Sequence, residues 1–119
     1  MSQVPYTEEM QKRFQTIEGG AFGVVGSKEV LSVNGSALSP NVLLSQIATV
    51  GAETRTLAAP AADGQLKIIT MTVNGGNATI ALTNFSTGTT LTFSAVGQSA
   101  ILMSAGGLWV RLAGSAVVT

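Results

Sequence analysis

From Ile68 to Val110 the chain runs through 43 residues without one charged side chain. A stretch like this has few ways to fold. No segment of the chain reaches the roughly 18 consecutive apolar residues that a helical membrane span requires. Its large side chains recur at every second position, the period of a β-strand. Ile69, Met71 and Val73 alternate with Ile68, Thr70 and Thr72; Leu91 and Phe93 alternate with Thr90, Thr92 and Ser94. Leu108, Val110 and Leu112 alternate in the same way with Trp109 and Arg111. Turn signals interrupt the pattern at Asn74-Gly75-Gly76-Asn77, Gly88, Gly97 and Gly106-Gly107. Strands punctuated every 8–12 residues or so mark an all-β unit. The expectation is a compact antiparallel β-sandwich or barrel-like domain over residues 21–119, with residues 53–112 as its best-defined meander.

Upstream, the pattern changes. Residues 1–30 hold seven of the twelve charges. Tyr6, Met10, Phe14 and Ile17 are spaced four, four and three apart, one stripe of a helix. Thr7 stands where a helix cap belongs, Glu8 and Glu9 favour the positive end, and Gly19-Gly20 stops the element. Residues 1–20 are therefore read as an arm with a short helix, whose stripe must lie on its own domain or on another protein. Gly20 to Gly26 lacks the spacing of a dinucleotide or phosphate loop and reads as an irregular strand. Lys28 to Val33 reads as a strand ending in the Asn34-Gly35 turn. Ser39-Pro40 resembles a helix start, and Val42 to Ile47 fits either a helical turn or two or a strand.

Composition limits the chemistry. The chain has no histidine and no cysteine, and its six basic residues balance six acidic ones. That removes Cys/His metal sites, thiol nucleophiles, disulfides and a Ser-His-Asp triad. Zero net charge offers nucleic acid or an anionic membrane no electrostatic footing. Glu53 and Asp63 are the only carboxylates after residue 30 and read as loop residues; no S-x-x-K motif occurs, and Asp63 alone makes no calcium site. Asn34, Asn77 and Asn84 sit in N-x-S/T triplets that a Ser/Thr-rich chain produces by chance. The start of the sequence lacks the basic and apolar segments of a signal peptide, so synthesis in a cytoplasm is expected. The chain is read as non-enzymatic, with no cofactor and no metal. Gly, Ala, Ser and Thr fill 54 of 119 positions. Small side chains bury little area each, so the chain is either a modestly stable monomer or a subunit that finishes its core against its copies. Sparse charge favours the oligomer.

Residues 60–112 resemble a β domain of tailed-bacteriophage virion proteins, chiefly head decoration (cement) proteins and related fibre proteins. The resemblance lies in the order of Asp63-Gly64, Gln65 to Ile69, the Gly-Gly turn, Asn77 to Ile80, Gly88 to Phe93, Gly97, Ala100 to Leu102, and Gly106 to Val110. It covers just under half the chain. Where the family pattern carries acids beside the first Gly-Gly turn and after the later glycine, this chain has Asn74, Asn77 and Gln98. The resemblance implies a homotrimer on the capsid surface, bound to the major capsid protein of a phage head and bracing it. Tyr6, Met10, Phe14 and Ile17 would then clamp the shell or a neighbouring subunit, with Trp109 as a core or interface anchor. The alternative function is a receptor- or carbohydrate-binding fibre or spike module, with Trp109 and the Thr/Asn loops as contacts.

Overall fold

The structure is a computed structural model and describes residues 27–119. The proposed arm, with Tyr6, Met10, Phe14 and Ile17, lies outside the described residues. Nine strands follow in order: β1 (Lys28–Leu31), β2 (Leu44–Thr49), β3 (Glu53–Leu57), β4 (Leu66–Asn74), β5 (Ala78–Leu82), β6 (Thr90–Phe93), β7 (Ser99–Ala105), β8 (Leu108–Gly114) and β9 (Val117–Val118). They form a five-stranded sheet, β1-β2-β4-β7-β8, and a four-stranded sheet, β3-β5-β6-β9. We call them sheet A and sheet B. The fold is all-β and sandwich-like, and the described residues contain no helix.

Both sheets are mixed, which corrects the antiparallel expectation. β1 pairs parallel to β2, β2 parallel to β4, and β3 parallel to β5. Up to β5 the chain alternates between sheets, laying each pass beside the previous one, so it winds as a coil. Leu38 makes the first pass through sheet B, bridging to Leu57 in parallel. From β6 onward the pairings are antiparallel and close the coil.

The turn at Asn74-Gly75-Gly76-Asn77 shows why the two readings differ. A two-residue hairpin there would need positive φ at its centre. Gly75 and Gly76 do not have it, whereas Gly106 and Gly107 do, at 62° and 79°. Gly106-Gly107 joins β7 to β8 as a true hairpin. Gly75-Gly76 is instead a corner stacked on the preceding corner. A Cβ on Gly76 would run into Ala52 N and Gly51 C. The Thr49 hydroxyl ties the two corners, donating to Gly76 O at 2.7 Å and accepting from Gly75 N at 3.0 Å.

The segment 39–43 is a loop, not the helix start that Ser39-Pro40 suggests. One turn closes from Val42 N to Ser39 O at 3.4 Å. The chain then enters sheet A as β2, between β1 and β4, where strand neighbours on both sides supply its backbone partners.

The core lies between the sheets. Ile47, Ile69, Met71, Leu102 and Trp109 face Leu57, Ile80, Leu91 and Phe93, all at most 1% exposed. Ile69 and Met71 share the inner face as the alternation requires. Val73 does not: a register shift between Ile47 and Ala48 turns it out to 52% exposure. The edges are defended by charge on β1, by a register shift on β8 and by the brevity of β9.

Candidate functional surface

Of seven charged side chains in residues 27–119, four meet in two ion pairs turned into the fold. Lys67 and Arg55 occupy inward positions on β4 and β3, and both are fully buried. Lys67 Nζ donates to Ser39 O at 2.7 Å, Val42 O at 2.8 Å and the Ser45 hydroxyl at 2.5 Å. Glu29 Oε2 stands 3.5 Å from it and accepts from Ser45 Oγ at 2.6 Å and Ser39 N at 2.9 Å. Burial pushes the Lys67 amine below its ordinary value, and the Glu29 charge opposes that shift without cancelling it. Arg55 pairs with Glu53 and donates to Leu31 O at 3.2 Å and to the Ser36 carbonyl and hydroxyl at 3.1 and 2.5 Å.

The two cations do the same job. Each holds backbone carbonyls from 31–42, which lie in the first pass of the coil, against later strands. Lys67 beside Ser45 brings together the elements of a Ser-Lys dyad without an S-x-x-K motif. Both side chains are inaccessible, the lysine is already saturated with acceptors, and no substrate reaches them. Glu53 is likewise committed to Arg55, and Asp63 accepts from Gly107 N at 3.1 Å. Among the described residues no group of three or more acidic side chains is placed to hold a metal ion.

Trp109 lies wholly inside, 0% exposed, and its Nε1 donates to Ala58 O at 2.9 Å. It has no surface left to offer a sugar or a second subunit. The side-chain amides of Asn74 and Gln98 are used locally. Asn74 Oδ1 accepts from Gly76 N at 3.0 Å while its Nδ2 donates to Ser94 O at 2.7 Å, a bond no carboxylate makes. Gln98 Oε1 accepts from Ser94 N at 2.6 Å.

With the charges withdrawn, the outer faces of the two sheets become the informative surfaces, and they are unlike. On sheet B the outward register rows read Thr54, Thr79, Thr92, Val117 and then Thr56, Ala81, Thr90. On sheet A one outward row reads Lys28, Leu44, Ile68, Ile101, Ala113 and the next Leu66, Met103, Val110. Leu108 continues that face and is 41% exposed, with Met103 at 38%. One sheet therefore presents hydroxyls and the other aliphatic side chains. Threonine dominates the outward rows of sheet B alone, where Ala81 and Val117 are the exceptions. Nothing local distinguished the two, because Ile68 and Ile101 become a patch only when β4 and β7 are paired in register.

No protein-family model matches this chain, and no curated protein matches it either.

Proposed function

We propose that the chain is a non-enzymatic structural protein of a phage virion, a decoration protein that binds the head shell as a homotrimer and stabilises it. The observation that carries this reading is the disposition of charge and apolar surface. Four of the seven charged side chains in residues 27–119 serve as internal clamps, no cluster of reactive groups opens to solvent among the described residues, and one sheet turns an aliphatic face outward that carries only Lys28 at its β1 end. Such a surface suits permanent protein contact better than catalysis or steering of a charged ligand. The resemblance of residues 60–112 to virion β domains supports the same reading.

The mechanism is geometric. A shell displays many copies of one surface, so an oligomer engages it through several modest contacts whose linkage multiplies avidity. Each bound oligomer bridges shell subunits and opposes their separation under genome pressure. The fibre-module alternative loses its stacking residue with Trp109 buried and retains only the Thr/Asn loops. The test is addition of the purified protein to expanded, undecorated heads. Saturable binding with a raised head melting temperature supports decoration; no binding to heads together with selective glycan binding refutes it.

A further inference from the structure

The outer face of sheet A is built like an interior surface. Its central row runs Leu44, Ile68, Ile101, Ala113, and the neighbouring row Leu66, Met103, Val110. Leu108 adds a third level beside Ala105. The inner face of the same strands is also apolar, with Ile47, Ile69, Met71, Leu102 and Trp109. A sheet that meets water on one side alternates apolar and polar residues, as sheet B does; near-continuous apolar strands are the mark of a sheet covered on both sides. β4 and β7 are therefore written for two covers, and the sandwich supplies one.

We infer that the second cover is another copy of this chain, seated on the outer face of sheet A. This rests on the proposal that copies of the chain assemble, not on their number: two like faces packed on each other close a two-fold pair, so the contact it names joins copies in twos. Three arguments select a copy. The face is electrically neutral except for Lys28 at its β1 end, so two like faces meet without repulsion. Its size is right: five strands about 4.8 Å apart and five outward levels about 6.8 Å apart give roughly 19 by 27 Å, or about 500 Å². Two copies then bury about 1,000 Å², which is the scale at which specific interfaces begin. Shape is the third. One helix about 10 Å wide, such as the arm would supply, covers about half that width, whereas an equal sheet covers it all at the usual spacing of about 10 Å. The outward row Gln46, Thr70, Ser99 then forms a polar margin to an aliphatic centre, as interfaces generally have, with the exposed Val30 at its β1 end.

The chain's lack of cysteine makes the test direct. The full chain is sized by sedimentation equilibrium, alongside Ile68→Glu in the aliphatic face and Thr92→Glu in the threonine face. Emission from the single buried tryptophan reports folding. The expected result is an oligomer for the unaltered chain and for Thr92→Glu. Ile68→Glu, with its tryptophan emission unchanged, should show a dissociation constant raised about a hundredfold or more by the carboxylate in an apolar contact. Should Ile68→Glu not fold, single-cysteine chains decide: Met103→Cys must cross-link between copies with a short bis-maleimide, and Thr92→Cys must not. An oligomer that survives Ile68→Glu, or cross-links through position 92 instead of 103, overturns the surface and leaves the oligomer standing. A full chain that is monomeric at tens of micromolar overturns both, and points to the arm or another part of the same chain as the cover.

Discussion

Replacing Lys67 by methionine removes the amine that gathers the loop before β2. The stem of the side chain is kept, so the loss falls on three acceptors: Ser39 O, Val42 O and the Ser45 hydroxyl. Glu29 keeps its bonds from Ser45 Oγ and Ser39 N, and with its side chain 21% exposed it remains partly hydrated. Each buried acceptor left without a donor costs about 1–3 kcal/mol. Relief from burying a charge returns part of that. Breaking one side of a buried pair costs about 3–5 kcal/mol in general, and the partial hydration of Glu29 puts this case near 3 kcal/mol. Urea unfolding at fixed protein concentration measures it. With a slope of about 1.5 kcal/mol per M, the midpoint falls by about 2 M. Replacing Glu29 and Ser45 by apolar residues in the same chain should recover only part, because Ser39 O and Val42 O remain orphaned. The pH dependence carries an independent sign. Lys67 is held below its ordinary value of 10.5. Between its folded value and 10.5 the unfolded chain binds a proton that the folded chain has released, so stability rises with pH across that window and is flat below it. Lys67→Met must lack the rise. A Lys67→Met chain as stable as the parent would refute the clamp, showing that desolvation of the amine outweighs all its bonds.

The stacked corners, the buried indole and the arm give three further tests. Gly76→Ala drives a Cβ into Gly51 and Ala52 backbone and should cost about 3 kcal/mol or more in thermal or urea unfolding, whereas Gly51→Ala meets nothing within 4 Å and should be neutral or slightly stabilising. Equal effects would remove the stacked-corner account. Trp109→Phe leaves Ala58 O without its donor and a gap beside it, for about 2–3 kcal/mol of lost stability with no change in any binding measured to heads. A binding loss at unchanged stability would return Trp109 to the surface. Deleting residues 1–18 should leave a folded oligomer that no longer attaches to heads; undiminished attachment means the arm is not the clamp.

What the sequence disclosed and what it hid follow from how far each signal reaches. Strand positions for β4 to β8 were legible because alternation and turn residues act over a few neighbours. So was the Gly106-Gly107 hairpin, which needs only two residues of positive φ. Strand direction was not, because a hairpin and a sheet-switching corner use the same residue types. Only the contact between Gly76 and the corner at 51–52 separates them, and that contact spans 25 positions. Val42 to Ile47 was ambiguous for the same reason: its neighbours in β1 and β4 decide its state. Trp109 was placed correctly in alternation but on an undecided side. The inward roles of Lys67 and Arg55 were invisible, since their acceptors are backbone carbonyls that no sequence pattern displays.

That last point connects stability to function. A well-charged surface ordinarily keeps a domain of this size soluble and single. Here Lys67, Arg55, Glu29 and Glu53 are spent on fastening segment 31–42 inside the fold, and the sheet faces are left without them. The threonines of sheet B supply neutral hydrogen-bonding groups, so that face tolerates water. Sheet A has no such substitute around Ile68 and Ile101. The same allocation that closes the first pass of the coil therefore leaves an aliphatic face exposed, the face on which we propose that a second copy sits.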